Sequence, residues 1–177
     1  MKRITSVARI ANPYSKRILS NILNADPLAV YTATPLALKR LLRGLNTKQV
    51  HMPPAKGRWS IAYLISHLCD AELAMGFRIR MAIALPGCDF RAYDQDMWAE
   101  ALHYDKAGWR EKLRLFTTLR RAHVSLLKGL NPGEWQRYGM HEERGKETVE
   151  RMIQMIAGHD VNHMKQIAAI RKMLIRM

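Results

Sequence analysis

His159 and His163 stand four residues apart in a helix-forming stretch, so their imidazoles lie one turn apart on a single face and can close on one cation. A third histidine, His67, sits far upstream in the apolar run between Trp59 and Asp70, placed to reach the pair from a neighbouring helix. Three neutral imidazoles suit a borderline divalent cation, zinc or nickel above all, and leave a position for water or substrate. Such a position acidifies a water molecule toward neutral pH, or captures and activates a thiolate. Two imidazoles on an inward face are costly in low dielectric unless a partner such as a metal satisfies their nitrogens.

The residues around the trio narrow the chemistry. Asp160 follows His159 where zinc proteases carry a glutamate base, which disfavours a protease. A di-iron centre needs paired Glu-x-x-His motifs with these histidines, and there are none, so the site is expected to be mononuclear. Asp70, Asn162 and Gln166 each lie about one turn from a histidine and could orient a ring or contact water. Asp70 is the preferred catalytic candidate, for proton transfer or support of His67. Arg78 lies eleven residues beyond His67 at nearly the same helical angle, roughly 16 Å along the axis, where it could attract an acidic substrate or a thiol cofactor. His123 reads as an ordinary packed or exposed histidine. His51, His103 and His141 fall in expected loops, with His141, Glu142 and Glu143 able to line the site mouth.

These residues need helices to hold them. Thr34 and Pro35 read as an N-cap and first helical residue of a helix over 34–45, and Asp26 and Pro27 offer a similar start for a preceding helical segment through Val30. Ser60 caps a long helix to about residue 84, ended by Pro86 and Gly87, and Asp105 caps a third ended by Asn131, Pro132 and Gly133. Thr148 starts the last helix, where Met152, Ile156, His159, His163, Ile167, Ile170 and Leu174 share the inward face. No stretch alternates like a strand. The expected fold is an all-α four-helix bundle with long connections, residues 34–177, preceded by a basic arm or short helix over residues 1–33.

The chain has 177 residues, 48% hydrophobic and 25% charged, which fits one globular domain and excludes wholesale disorder. Every apolar run is interrupted too soon for a membrane span. Two cysteines need no disulfide scaffold and suit a reducing compartment, the cytoplasm by default. Lys and Arg number 29 against 15 Asp and Glu, a net charge of +14, which favours anionic partners without naming one. A noncatalytic protein binding nucleic acid through that surface is the alternative to an enzyme, although the basic residues lack the aromatic interleaving of stacked bases.

Trp59 and Ser60, then His67, Asp70 and Glu72, the stretch from Asp94 to Trp98, and Gly158, His159, His163, Gln166 and Ile167 occur in an order that resembles the DinB/YfiT-like superfamily. The resemblance extends from about Thr34 to Ile170. It implies an up-down-down-up bundle with His67, His159 and His163 as the metal triad, and often a homodimer. Members include thiol-dependent transferases and isomerases, hydrolases, and proteins with no assigned reaction. The expected function is therefore a metal-dependent hydrolase or thiol transferase acting on a small molecule.

Overall fold

Pro35 does not open the first bundle helix. The computed structural model describes residues 1–175, and in it Asp26 caps a helix α2 (Pro27–Leu42) by accepting from the amides of Leu28 and Ala29, leaving Pro35 inside. The helix expected at Thr34 thus starts at the other Pro of the segment. An Asp cap satisfies two orphan amides there, whereas Thr34 turns its hydroxyl back to the Val30 carbonyl. Before it lie α1 (Pro13–Leu19), capped by Asn12, and one 3-10 turn (Ser20–Ile22).

The remaining elements are α3 (Thr47–His51), α4 (Ile61–Ala84), β1 (Asp89–Phe90), α5 (Gln95–Ala101), α6 (Trp109–Lys128), α7 (Pro132–Trp135), β2 (Tyr138–His141), β3 (Gly145–Thr148) and α8 (Val149–Ile175). Ser60 and Thr148 cap α4 and α8 through the amides of Tyr63 and Arg151, as their positions predict. Asp105 is not the cap of α6, which starts four residues later after Gly108. The connection before α8, expected to be loop, contains a two-stranded hairpin: β2 pairs antiparallel with β3, and parallel with β1. These strands of two to four residues are too short for an alternating pattern to be visible in sequence.

Helices α2, α8, α4 and α6 close a ring, each packed on the next. Successive α6 residues Lys112, Arg120 and His123 meet Asp70, Glu72 and then Gly76 of α4, so those two run parallel. Arg171 near the end of α8 holds the carbonyls of Leu41 and Arg43 at the end of α2, so that pair is parallel as well. The start of α4 packs on the end of α8, which sets the two pairs antiparallel and gives an up-down-down-up bundle.

Two apolar cores occupy its ends. One gathers Tyr31, Met75, Ile79, Val124, Leu127, Met152 and Ile156, with Ile18, Leu19 and Ile22 from the N-terminal segment. The other gathers Leu38, Ile61, Leu64, Ile65, Leu68, Trp109, Phe116, Ile167 and Ile170. Between them, with members on every long helix, falls a layer of buried polar side chains: Thr34, His67, Glu72, Arg120, His123, His159, Asp160 and His163. His67, His159 and His163 form one side of that layer.

Candidate metal centre

His67 comes from α4, and His159 and His163 from consecutive turns of α8, which packs antiparallel on α4 at this level. All three are buried, at 2%, 8% and 7% exposure, and their ligand atoms lie within 4.8 Å of one another. His67 Nε2 stands 2.9 Å from His159 Nε2, and His163 Nε2 stands 3.1 Å from it. Trp59 packs its indole edge-on against His67 at 5.2 Å between ring centroids. Gln166 Oε1 lies 2.9 Å from His163 Nδ1, so the ring donates there and keeps a lone pair on Nε2.

Burial sets the charge state. Desolvation first, then the two neighbouring imidazoles, pushes His67 down to about 2. Burial likewise holds His159 well below its ordinary value and His163 below it, with Arg17 contributing to both. The rings are neutral at neutral pH, so lone pairs converge with too few protons between them. His159 Nδ1 is moreover buried without a hydrogen-bond partner among the described residues, 4.0 Å from an equally unpartnered Asp160 Oδ1. A cation resolves that crowding. Nitrogens 2.0–2.1 Å from one tetrahedral zinc stand roughly 3.4 Å apart, within a few tenths of an ångström of the two Nε2 spacings. The donor set is all-imidazole, which suits zinc or nickel.

Behind the triad lies an ion network that the sequence reading did not identify. Arg120, 1% exposed, grips Glu72 with Nε and Nη2 at 3.0 and 2.8 Å, and gives Nη1 to Asp160 Oδ2 at 2.8 Å and to the Tyr31 carbonyl at 2.6 Å. His123 Nδ1 and the Tyr31 hydroxyl both reach Glu72 Oε1, at 2.7 and 2.5 Å. Burial opposes the charge on Glu72, but Arg120 and the His123 hydrogen bond hold its carboxyl below the ordinary value. His123 is therefore committed to this network and packs on Gly76, where a Cβ would collide with its ring. Arg120 follows Phe116 and Leu113 at helical steps of four and seven, so its inward phase was the available signal.

Two cavities reach the triad. The larger, about 680 Å³, is lined by His67 and His159, by Tyr14 and Arg17 of α1, by Arg78, and by His141 and the hairpin residues Glu142, Glu143 and Arg144. The smaller, about 560 Å³, is lined by Trp59, Leu64, His163, Gln166, Ile170 and Met173, and Gln95 and Asp96 of α5 border both. Arg78 thus shares a cavity with two of the histidines. His141 is buried at the end of β2 rather than in a loop, and its Nδ1 accepts the Glu143 amide at 3.2 Å. Asp70 lines neither cavity: its Oδ1 accepts from Lys112 Nζ at 3.0 Å, toward α6. His51 ends α3, and His103 lies in a turn with a positive φ of 51°.

Residues 31–167, most of the bundle, match the DinB superfamily. The chain belongs to that superfamily. The match contains all three histidines and both carboxylate partners of Arg120, and it starts after α1. Among similar proteins, one from Oceanobacillus iheyensis bearing the name of a candidate metal-dependent hydrolase is 27% identical over 154 residues, covering 87% of this chain and 89% of that one. Another so named, from Bacillus mycoides, is 26% identical over 79% of this chain and 80% of its own length. Bacillus subtilis YfiT, described as a probable metal-dependent hydrolase with an unusual four-helix bundle topology, superposes with a TM-score of 0.77 at 21% identity, covering 83% of this chain and 85% of that one. That likeness shows the fold. The names and the trio of buried histidines agree on a divalent metal.

Proposed function

We propose that His67, His159 and His163 hold one divalent cation, zinc or nickel, through their Nε2 atoms, and that the protein is a hydrolase acting on a small molecule in the larger cavity. The observation carrying this reading is the convergence of three neutral imidazole nitrogens where two cavities meet, His67 and His159 lining the larger and His163 the smaller. When bound, the cation supplies Lewis acidity, polarising a substrate oxygen or making a water molecule more acidic. The chain's own residues do the rest. Gln166 fixes the His163 tautomer, Trp59 limits rotation of His67, and the apolar cores above and below keep bulk water from the rings. His141, with Nδ1 accepting from Glu143, holds its proton on Nε2 and is placed to move one at the cavity wall. Asp70, facing Lys112, supports α4 behind His67 rather than touching substrate. Arg78 contacts the substrate or a cofactor from the same wall as His67.

The smaller cavity favours a second reading. Two chambers meeting at one cation accommodate two reactants, as transfer of a small thiol to an electrophilic substrate requires and hydrolysis does not. A panel of ester, amide and phosphoester substrates, run with and without a small cellular-type thiol, separates the two. Metal-dependent turnover to the acid without thiol supports the hydrolase, and a thiol-bearing product supports the transferase. No turnover with either, in fully metal-loaded protein, contradicts both.

We further propose a homodimer formed through α4, where Leu73 and Phe77 are exposed one turn apart, at 44% and 64%. Sedimentation should give a dimer that Phe77→Asp converts to a monomer; a monomeric wild type overturns it. No helix among the described residues is long and apolar enough to cross a membrane, and the two free cysteines fit a reducing, cytoplasmic setting.

A further inference from the structure

Arg78 is a buried cation without a matching anion. Only 9% of it is exposed, and its guanidinium contacts the Arg91 carbonyl and the face of Tyr93, 5.7 Å from the ring centroid. No ion pair joins it to a carboxylate among the described residues. The acids around it are committed or at the rim. Glu147 is gripped by Arg144 at 2.8 and 2.9 Å, Glu142 accepts from the Ala92 amide, and Asp94 caps α5. Glu143 and Asp96 are exposed at the cavity edge. Leaving a charge desolvated and unpaired is costly, so a site that retains one is built for a ligand that supplies the opposite charge.

A second cation enters the same cavity from outside the superfamily match. Arg17 of α1 lines it, forms no ion pair among the described residues, and lies 5.5 Å from the Tyr14 ring centroid. The position of α1 is not incidental. Gly158, immediately before His159, lets the Ile18 carbonyl rest directly on α8, where any Cβ would collide with it. Ile18 and Leu19 are almost completely buried in the first apolar core, so the exposed face of α1, with Tyr14 and Arg17, is turned to the cavity by anchored neighbours.

We propose that the substrate carries an anionic group, a carboxylate or a phosphate, held between Arg78 of α4 and Arg17 of α1, while the rest of the molecule extends toward the three histidines. This deepens the proposed function and rests on it for the reacting end, but the anion subsite stands without the metal. Arginine is the side chain suited to either oxyanion, because its planar fork offers paired donors. Helix α1 is then a wall of the site, and the positive charge of the chain has one definite local use.

The test measures binding of acetate and of inorganic phosphate by nuclear magnetic resonance titration, in metal-free and in metal-loaded protein, beside the metal content of each sample. In metal-free protein the better of the two probes should lose about tenfold in affinity in Arg78→Gln, the loss of one charge-assisted pair. It should weaken severalfold in Arg17→Gln and recover in Arg78→Lys, with metal uptake unchanged in all three. The affinity order of the probes identifies the anion. Arg17→Gln, at an exposed position, keeps the test decisive if Arg78→Gln misfolds. Equal affinities across wild type and variants, or anion binding only when metal is present, overturns the subsite. Failure to take up metal, with the arginine dependence intact, would instead count against the metal centre alone.

Discussion

Gln166 decides which nitrogen of His163 is free. Its Oε1, 2.9 Å from Nδ1, holds the proton away from the atom that faces His159. Replacing it with alanine should lower metal affinity about 10- to 100-fold, as loss of such orienting partners does. Competition against a chromogenic chelator would measure it, and an unchanged affinity would remove Gln166 from the site. The same burial predicts an acid-labile metal-free protein. Each of the three histidines has its folded value lowered while the unfolded chain titrates near 6.5, so the unfolded state binds more protons. Their contribution to stability is present above 6.5 and is lost as pH falls below it toward the depressed folded values. Urea midpoints between pH 8 and 5 should therefore decline; a flat profile contradicts neutral, buried rings. The trio was legible from sequence because two members sit at one helical turn and the third on an inward helix face. Arg17 and Arg78 were not legible as a pair, since nothing in a linear reading seats α1 on Gly158.

At the scale of elements, the polar layer ties the four long helices together at one level, α2 through the Tyr31 hydroxyl and carbonyl. Arg120 from α6 binds Glu72 of α4 and Asp160 of α8, and Asp160 is the residue after His159. The network fixes the height of α8 against α4, and therefore the distance between His67 and its two partners. Removing Arg120 strands two buried carboxylates. Arg120→Ala should cost about 3–5 kcal/mol in chemical denaturation, the usual penalty for breaking a buried pair from one side. A cost below 1 kcal/mol would mean that the layer is dispensable for folding. The bundle helices themselves were readable from caps and stripes, with Ser60 and Thr148 where expected. Errors fell where two successive segments, one from Pro27 and one from Pro35, are a single helix, and where pairing partners are remote, as for β1 and β2, fifty residues apart. Local propensity cannot rank such alternatives, because tertiary packing decides them.

Across the whole molecule, several of the 29 Lys and Arg side chains are used inside the fold. Arg120 is neutralised by Glu72 and Asp160, Arg144 by Glu147, and Arg137 and Arg171 cap carbonyl groups of other elements. The remaining surface charge should produce only nonspecific attraction to nucleic acid. Binding to duplex DNA is expected to be weaker than about 10⁻⁶ M near physiological salt and to fall steeply as salt rises. A tight complex that survives alanine at the histidines would favour the nucleic-acid role over the enzyme.

The central claim is that three histidines from two helices hold one divalent cation. Metal content of purified protein, measured by elemental analysis after equilibration with zinc or nickel and removal of excess, tests it most directly. The account predicts close to one metal per chain in wild type and almost none in a folded His159→Ala, His163→Ala double variant. Equal metal in both, retained with equal affinity, would contradict it.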